Sequence, residues 1–537
     1  MLGISCLSKF ILFEKLRAIL SSPAFVVTLC AAILFYRTPD AFLNPQFYCE
    51  DGFAYFATAH ERGFQSIFAN HAGYVQLIPA LLASIVNLFT VRYAPHCCSY
   101  AALAIGVATV AYIFSRRIRL NFKPLLCLSV ALAPCLYNEV YGNMTNCQWF
   151  LALMLVLLAV SDDAVTRGQY AFDLVVLFFA GMTGPFIVAF IPLFAWRAWL
   201  RRSRASKLLL AGACVLAALQ AALMVFRPWN RPGGFEHVPF ANPFSQDWVK
   251  FIGQGVAGIM VFGPRAALAQ SSVPILFAVS MALLAALSFD TLRSRDHTRA
   301  VFLASAALVT ASAIYSWKGR LGLLVPACRY SFCPIVLLYW TMIQSLSRAR
   351  WLAAPSLLLL LCSAAAVMPD LSLPAQPDMH WAVSSQLVDS PGSVRLPIIP
   401  FGDMVDLDNP DVPQTRIGEE KLPLEGRQEW PGGDESRRIQ LVINPPQYAS
   451  GIRLTYTLKS NAGGKVKVLA RWSGERKYTR PELAGYTPLT LIADGQPHKQ
   501  TFPIGKVLCV LYLDFEDPVT YAKISEVVRL APEGKRP

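Results

Sequence analysis

Two adjacent carboxylates, Glu50 and Asp51, follow the first apolar stretch of the chain, in the segment FYCEDGFAYF. Two like charges this close at a membrane surface repel each other, so one is expected to hold its proton tightly or to be paired. A positioned, partly desolvated carboxylate is what a general base needs to remove a proton from a sugar or lipid hydroxyl. Alternatively, the two acids cap the N-terminus of the helix that follows.

A third acid, Glu139, lies in PCLYNEVYGNMTN, after the third apolar stretch. It can bind an acceptor, orient the base, or pair with an arginine.

Basic residues gather in the late segment WKGRLGLLVPACRY, which contains Lys318, Arg320, Arg329 and Tyr330. Two guanidinium groups at the rim of adjacent apolar stretches match a phosphate or diphosphate through bidentate hydrogen bonds. Alternatively, an arginine here pairs with lipid headgroups or with Glu139. The candidates for substrate binding also include His71, Tyr74, Arg231 and His237. Of these, the two histidines have a structural alternative, because a lone histidine more often serves the fold.

Apolar helices must position these residues. Of 537 residues, 55% are hydrophobic and 15% are charged, and the mean hydropathy is +0.43, whereas a soluble globular protein carries about 25% charged residues. Apolar runs near the roughly 20 residues that cross a bilayer exclude a cytosolic enzyme, a disordered chain and a coiled coil. They predict an α-helical polytopic membrane domain with eleven spans, at roughly 17–36, 95–115, 124–138, 147–160, 171–182, 184–200, 207–226, 273–289, 300–316, 331–346 and 352–368.

The charge distribution predicts the topology. Residues 1–369 contain 28 Lys and Arg against 13 Asp and Glu, whereas residues 370–537 contain 20 against 21. The positive excess therefore belongs to the membrane part, which argues against nucleic-acid binding. If the ambiguous stretches 72–91 and 248–263 are interfacial helices, every basic cluster falls on one side. The positive-inside rule then places the N-terminus in the cytoplasm and the C-terminal region outside.

Three regions are predicted: a transmembrane domain over 1–368, a linker with an irregular domain start over 369–437, and an extracytoplasmic β-domain over 438–537. The last contains seven short alternating runs separated by turn signals, which are typical of a β-sandwich or jelly roll. This domain either binds carbohydrate through aromatic residues such as Trp472, or is structural with those aromatics in its core.

No cofactor or metal is predicted. P-loop, GxGxxG, HExxH, GxSxG and CxxC motifs do not occur in a suitable context, which counts against ATP-driven, nicotinamide and zinc chemistry. The thirteen cysteines lie mostly in apolar runs and have no histidines at ligand spacing. Most spans lack acids and lysines, which counts against a proton-coupled transporter, and Asp173 is the exception.

The layout resembles a GT-C-type polytopic membrane glycosyltransferase. The resemblance rests on the acidic pair after the first span, Glu139, the late residues Arg320 and Arg329-Tyr330, and a C-terminal domain on the outer face. It also rests on the loop DGFAYFATAHERGFQSIFANHAGYVQLIPALLA and the helix break in FFAGMTGPFIVAFIPL. The stretch HAGYVQLIP stands where one subgroup has a His-Pro-Pro-Leu-like segment. The resemblance covers the chain as a layout, through short motifs.

The resemblance implies an inverting sugar transfer from a polyprenyl-phosphate donor, the lipid-linked co-substrate, to a glycan, lipid or protein acceptor outside the bacterial inner membrane. By position, the base corresponds to Asp51 with Glu50 beside it, and the second acid to Glu139. The donor phosphate would be held by Arg320 and Arg329, without a metal. Two other classes stay open: an envelope glycan polymerase, ligase or acyltransferase, and a non-enzymatic flippase or scaffold for lipid-linked glycans.

Overall fold

The chain divides into two compact units, the first formed by residues 1–43, 67–81 and 98–375 and the second by 44–66, 82–97 and 376–537. Residues 37–94, which connect the first two predicted spans and are predicted to lie outside, are called the first outer loop. Most of this loop belongs with the C-terminal region rather than with the helices around it. The computed structural model describes residues 22–69, 73–89, 91–135, 139–226, 249–264, 267, 273–317, 328–348, 350–373, 381, 385, 388, 392–398, 404–409, 417–421, 424–427, 429–430, 438–460, 465–473, 484–515 and 521–532.

Helices make up the described part of the chain before residue 371. In chain order they are α1 (Pro23–Arg37), α2 (Asp40–Leu43), α3 (Ala57–Arg62), α4 (Leu77–Val86), α5 (Ala94–Ile113), α6 (Lys123–Ala131), α7 (Cys147–Val160), α8 (Arg167–Gly181), α9 (Phe186–Arg201), α10 (Arg204–Phe226), α11 (Ile259–Phe262), α12 (Val273–Ser294), α13 (His297–Trp317), α14 (Phe332–Arg348) and α15 (Arg350–Val367). Two segments are π-helical, Asp51–Phe56 and Phe251–Gly258, and short 3₁₀ turns occur at Gly63–Phe68, Val91–Tyr93, Cys328–Ser331 and Met368–Asp370.

Each of the eleven predicted spans overlaps one of these helices, although the predicted span 124–138 is helical only over Lys123–Ala131 within the described residues. Within the described residues, five segments are long and apolar enough to cross a membrane: Val91–Ile113, Arg204–Val225, Val273–Ser294, His297–Ile314 and Trp351–Asp370. The two ambiguous stretches form shorter helices, Leu77–Val86 and Phe251–Phe262. About 20 helical residues are needed to cross the hydrocarbon core. Two helices that overlap predicted spans, Pro23–Arg37 and Cys147–Val160, are also shorter than this, so helix length alone does not separate the ambiguous stretches from the predicted spans.

The helices pack through apolar and small side chains. Every residue of α7 except Val160 is buried, as expected for a helix that is apolar on all sides. Helices α8 and α10 approach closely at two glycines. A Cβ atom on Gly181 would lie 3.0 Å from Leu216, and one on Gly212 would lie 3.0 Å from Leu177. Small residues of this kind let membrane helices come together.

One end of the first unit, which we call the charged end, consists of the short helix connections 115–123, 161–167, 201–206, 290–299 and 344–351. Arginines here are paired with aspartates. Arg117 donates to both carboxylate oxygens of Asp173, at 2.7 and 2.6 Å. Asp173, the exceptional acid in the predicted spans, is therefore ion-paired within the fold. Arg299 likewise contacts two aspartates, Asp290 and Asp296.

Arg197 is a second deeply buried cation near the charged end. Its side chain is 2% exposed. Nη1 donates to the carbonyl oxygens of Leu158 (2.7 Å) and Ser161 (2.6 Å), at the C-terminus of α7, and Nη2 donates to Asp163 Oδ1 (2.7 Å). These bonds join α9 to the end of α7, where unpaired carbonyls favour a cation.

Asp163 is the counter-ion of this buried guanidinium. Burial raises the pKa of Asp163, but hydrogen bonds from Ser203 and Ser206 and the charges of Arg197 and Arg201 outweigh burial, so that its pKa lies below the ordinary value. A carboxylate with a lowered pKa stabilises the fold above its unfolded pKa, and this contribution is lost as the pH falls through the folded pKa.

Asp163→Ala should lower the free energy of unfolding by about 2–4 kcal/mol, because it leaves a buried guanidinium without its counter-ion. Asp162→Ala in the same loop is the matched control. Asp162 pairs with Arg119, whose side chain is 83% exposed, so the loss there should be about 0–1 kcal/mol. Thermal unfolding of both variants in detergent measures the difference. For Asp163→Ala the deficit should be full above about pH 5 and shrink below about pH 4; equal deficits for the two variants would contradict the assignment.

The C-terminal region is a β-structure in one connected sheet. Its strands are β1 (Gly392–Pro397), β2 (Met404–Asn409), β3 (Ile417–Lys421), β4 (Leu424–Arg427), β5 (Glu429–Trp430), β6 (Arg438–Lys459), β7 (Lys465–Ser473), β8 (Ala484–Ile492), β9 (Asp494–Phe515) and β10 (Tyr521–Pro532). The main strand order is β2-β1-β9-β6-β10-β3, with β4 on β6, β5 on β10, and β7 between β8 and β9. The β6–β9 pairing is antiparallel with three register shifts, which allow these 22-residue strands to bend.

The strands differ from the prediction in two ways. Of the seven predicted alternating runs, those at 438–443 and 451–459 are parts of one strand, β6, and those at 500–504 and 507–515 are parts of β9. Residues 369–437, expected to be a linker and an irregular start, contain the five strands β1–β5, which pair with the rest of the sheet. These strands are only two to six residues long. In so few residues, the alternation of apolar and polar side chains cannot be recognised in the sequence. Trp472 belongs to the buried core of this sheet, with Phe502 and Leu513, and so is not available to stack on a sugar.

Candidate functional site

The acidic pair lies at the start of the π-helical segment Asp51–Phe56, in the second unit. The backbone N–H groups of Asp51 and Gly52 donate to the carbonyls of Tyr48 (2.9 Å) and Cys49 (3.0 Å), which forms a tight turn around Glu50. Cys49 has a φ of 41°, a left-handed conformation that is costly for a residue with a Cβ. Glu50 occupies the N-cap position but makes no capping hydrogen bond, so capping does not account for its side chain.

Asp51 is buried, and Glu50 is half-buried with one of its carboxylate oxygens withdrawn from solvent. Asp51 is 3% exposed, and the Oε2 atom of Glu50 is buried and has no hydrogen-bond partner among the described residues. A buried carboxylate oxygen without a donor costs free energy. A substrate hydroxyl that donated to this oxygen would remove the cost, so the site is suited to binding a proton donor.

The segment that carries Asp51 is packed against the C-terminal sheet. A Cβ atom on Gly52 would lie 2.8 Å from Val405 Cγ2 on β2 and 3.1 Å from Ile398 Cδ1. Only a residue without a side chain fits at this distance. Strand β2 therefore sets how far the backbone beside Asp51 can approach the sheet.

An aromatic cluster also packs against this segment. The rings of Phe47 and Phe56 lie 4.7 and 5.8 Å from the ring of Trp381, both at nearly perpendicular angles. The backbone N–H of Trp381 donates to Gln46 Oε1 (3.3 Å), and its indole N–H donates to the carbonyl of Val91 (3.3 Å). Perpendicular aromatic pairs of this kind add stabilisation beyond buried area, so Trp381 ties both ends of the first outer loop to the C-terminal region.

Gly52→Ala should destabilise the second unit by about 1–3 kcal/mol, because the new methyl group overlaps Val405. Val405→Ala alone removes two methyl groups and should also destabilise. The double variant should be more stable than the sum of the single effects predicts, because the smaller residue 405 makes room for the methyl group. Thermal unfolding of the three variants measures this coupling, and strict additivity would show that the two residues do not press on each other.

A second group of candidate residues lies in the first unit, at the end of the helices opposite the charged end. Arg329 Nη1 donates to Glu139 Oε1 at 3.0 Å. The side chains of Arg329 and Glu139 are 20% and 13% exposed, so the ion pair is partly buried but reachable from outside. The sequence left open whether Arg329 pairs with Glu139, and the structure brings the two together.

The segment that presents Glu139 is held by asparagines. The Nδ2 atoms of Asn143 and Asn146 donate to the carbonyl oxygen of Glu139, at 2.7 and 2.8 Å. Asn146 Oδ1 in turn accepts from the indole N–H of Trp149, at 3.1 Å. Side-chain bonds to a loop backbone replace the missing secondary-structure partners, so the backbone at Glu139 has a defined position relative to α7.

Aromatic rings lie beside the ion pair. The Tyr330 ring is 5.6 Å from the Arg329 guanidinium and 5.2 Å from the Trp149 ring. Trp149 also packs against Phe186, at the start of α9, with ring centroids 5.1 Å apart. A cation beside an aromatic face is stabilised further where water is excluded, and flat apolar surfaces next to a cation suit a sugar phosphate or a lipid phosphate.

Arg37 lies at the same end of the helices and was not among the site residues predicted from the sequence. Its side chain is 1% exposed, its Nη1 donates to the carbonyl of Ala131 (3.0 Å), and its guanidinium lies 4.1 Å from the ring centre of Tyr141. Tyr141 donates to the carbonyl of Ala133 (2.9 Å), and burial raises its pKa. The available signal was the position of Arg37 directly after the first apolar stretch, on the side where basic residues are rare.

Tyr74 belongs to a polar cluster in the first unit. Its hydroxyl lies 3.5 Å from Gln148 Oε1. At the next residue, Val75, the side chain of Gln220 accepts from the backbone N–H and donates to the carbonyl oxygen. The Oε1 atom of Gln76 is buried without a hydrogen-bond partner among the described residues. The cluster therefore joins the segment before α4 to α7 and α10.

The remaining predicted site residues lie outside the described residues: Lys318, Arg320, His71, Arg231 and His237. Of the others, Glu50 and Asp51 lie in the second unit, whereas Tyr74, Glu139, Arg329 and Tyr330 lie in the first. Within the described part of the chain, no group of three His, Cys, Asp or Glu side chains is arranged to hold a metal ion.

Comparison of the chain with protein-family models finds no match, and comparison with curated proteins finds none either. The helical membrane-type unit and the C-terminal β-structure are therefore described from this chain alone.

Proposed function

We propose that the chain is a membrane glycosyltransferase that moves a sugar from a polyprenyl-phosphate donor to an envelope acceptor on the outer face of a bacterial inner membrane. The observation that carries the proposal is the Glu139–Arg329 ion pair, partly buried beside Tyr330 and Trp149. A guanidinium has five N–H donors in a planar fork and can hold a carboxylate and a phosphate together. The neighbouring rings offer apolar surface to the sugar or the lipid.

The proposal includes an eleven-span topology. The helices between residues 94 and 226 alternate in direction, so that α5, α7 and α9 end at the charged end and α6, α8 and α10 begin there. A concentration of arginines at one end supports a cytoplasmic location for that end. Residues 44–66 and 82–97 form one compact unit with residues 376–537, which supports their being together on the other side, the sheet there forming a β-sandwich or jelly roll. A cysteine at the exposed position Gln496, in a Cys97→Ser background, should react with an impermeant thiol reagent in intact cells; reaction only after lysis would overturn this topology.

In the proposed reaction, Asp51 accepts the proton of the acceptor hydroxyl while that oxygen attacks the anomeric carbon. The bond between the anomeric carbon and the phosphate oxygen breaks, and the configuration inverts. The polyprenyl phosphate leaves with the bonding electron pair, and a bound cation stabilises its developing negative charge. Within the first unit, Arg329 is proposed as the residue that binds the phosphate of the lipid-linked donor. Lys318 and Arg320 are proposed to assist Arg329. Glu139 is proposed to orient the guanidinium, and Glu50 to accept a hydrogen bond from the acceptor.

Asp51→Asn should reduce sugar transfer by at least about 10²-fold, because the amide keeps the shape of the side chain but cannot accept the proton. Glu50→Gln should cost less. Membranes containing each variant are incubated with polyprenyl-phosphate hexose and pentose donors, and release of polyprenyl phosphate is measured. Unfolding temperature serves as the control for folding. Normal release by both variants, with wild-type protein active, would remove the acidic pair from the mechanism.

Arg329→Ala should abolish tight binding of the lipid-linked donor, and Arg329→Lys should weaken it, since lysine keeps the charge but loses the planar fork. If Arg329 serves only the ion pair, donor binding stays unchanged, Arg329→Ala lowers the unfolding temperature, and the double variant with Glu139→Gln partly restores it. Donor binding and melting are measured on the same variants. Lost binding at unchanged melting supports the phosphate role, and unchanged binding at lowered melting contradicts it.

A further inference from the structure

A cavity of about 680 Å³ lies at the charged end of the first unit, away from both Glu139 and Arg329. It is lined by the C-terminal part of α5 with the residues that follow it, by Met154 of α7, and by the first turns of α8. Its volume falls within the roughly 300–1,000 Å³ that ligand sites occupy. Neither the proposed reaction nor the acidic pair uses this cavity.

The lining changes from apolar to polar along the direction of the helices. Ala108 and Phe172 lie more than one turn into α5 and α8, whereas Ser115 and Arg116 lie in the connection at the charged end. Ala108, Ala111 and Phe172 are exposed, so the cavity is an open groove on the helix surface, with an apolar lining along the helices and a cation at the charged end. An amphipathic molecule with an apolar chain and an anionic head matches this order.

Arg116 differs from its neighbours in the same connection. Arg117 is paired with Asp173 at 2.6 Å, and Arg119 with Asp162 at 2.5 Å. Arg116 is exposed, and no carboxylate lies within ion-pair distance of it among the described residues. An arginine that lines a cavity without a counter-ion attracts an anion, and a phosphate matches its geometry best.

We propose that this cavity binds one anionic phospholipid, with an acyl chain against Ala108, Ala111 and Phe172 and the phosphate against Arg116. Basic pockets between helices at the cytoplasmic surface are a recognised way of holding anionic headgroups. The inference rests on the cavity and on the charge pattern at its mouth. It stands independently of the proposed glycosyl transfer, because no residue of the Glu139–Arg329 pair or the acidic pair takes part.

Gly168 allows the cavity to be filled without disturbing the helices. It lines the cavity, and a Cβ atom on it would have no neighbour within 4 Å. Gly168→Leu therefore places a side chain in the cavity while the surrounding contacts remain. Arg116→Gln removes the charge at the mouth, and Arg119→Gln is the matched control, since it removes the same charge from the same connection outside the cavity.

The full-length chain in a neutral detergent is titrated with phosphatidylglycerol or with phosphatidylcholine of the same acyl chains, and bound lipid is counted by native mass spectrometry. We expect one tightly bound phosphatidylglycerol per chain. Arg116→Gln should weaken it about fivefold, Gly168→Leu should abolish it, and Arg119→Gln should leave it unchanged. Inorganic phosphate should not compete, because it lacks the acyl chain that fills the apolar part. Unchanged elution and melting confirm that each variant is folded.

Four results would overturn the proposal. Equally tight binding of phosphatidylcholine would show that the site does not distinguish an anionic from a zwitterionic headgroup. Equal weakening by Arg116→Gln and Arg119→Gln would show only general attraction to a basic surface. Unchanged binding by a folded Gly168→Leu variant would place the lipid elsewhere, and competition by inorganic phosphate would assign the site to a free anion.

Discussion

The guanidinium of Arg197 is the interaction on which the helical unit most depends. It is almost fully buried and binds carbonyl oxygens at the C-terminus of α7, the most buried helix, together with Asp163. Asp163 also accepts from Ser206 on α10, so one carboxylate and one guanidinium connect three helices. Apolar contacts pack the middle of these helices together but do not determine which end of each helix lies at the charged end. Paired charges determine the orientation of each helix, because a cation is stabilised at the C-terminal carbonyls of a helix.

The first outer loop depends on a different constraint, its contact with the C-terminal sheet. Gly52 lies directly against Val405, and Trp381 bonds both the start and the end of the loop, through Gln46 and Val91. The position of Asp51 is therefore determined by residues from the far end of the chain. If Asp51 acts as a base, the C-terminal region is part of the catalytic machinery and not an appended module.

Much of the architecture could be predicted because apolar runs and strand alternation are local properties. The eleven apolar stretches all became helices, and β6 to β10 lie where the longer alternating runs occur. Short strands such as β4, with four residues, were missed because their pairing partners lie outside the window in which alternation is read. Ion pairs are less predictable still. Glu139 and Arg329 are 190 residues apart, so only tertiary packing brings them together, and the sequence could offer their pairing only as one of two alternatives.

Two arginines at the end opposite the charged end show how structure separates a structural cation from a functional one. Both lie at the end of the helices that the proposed topology places outside, where the charge rule disfavours basic residues. Arg37 is 1% exposed. It donates to the carbonyl of Ala131, and the face of its guanidinium packs on the Tyr141 ring. A ligand could not replace these contacts unless the fold opened. Arg329 keeps 20% of its side chain exposed and meets a carboxylate that is itself held by its backbone, beside two aromatic rings. An anion arriving from outside can reach Arg329 and exchange with or add to Glu139, whereas Arg37 has no such access, and this difference makes Arg329 the better candidate for the donor phosphate.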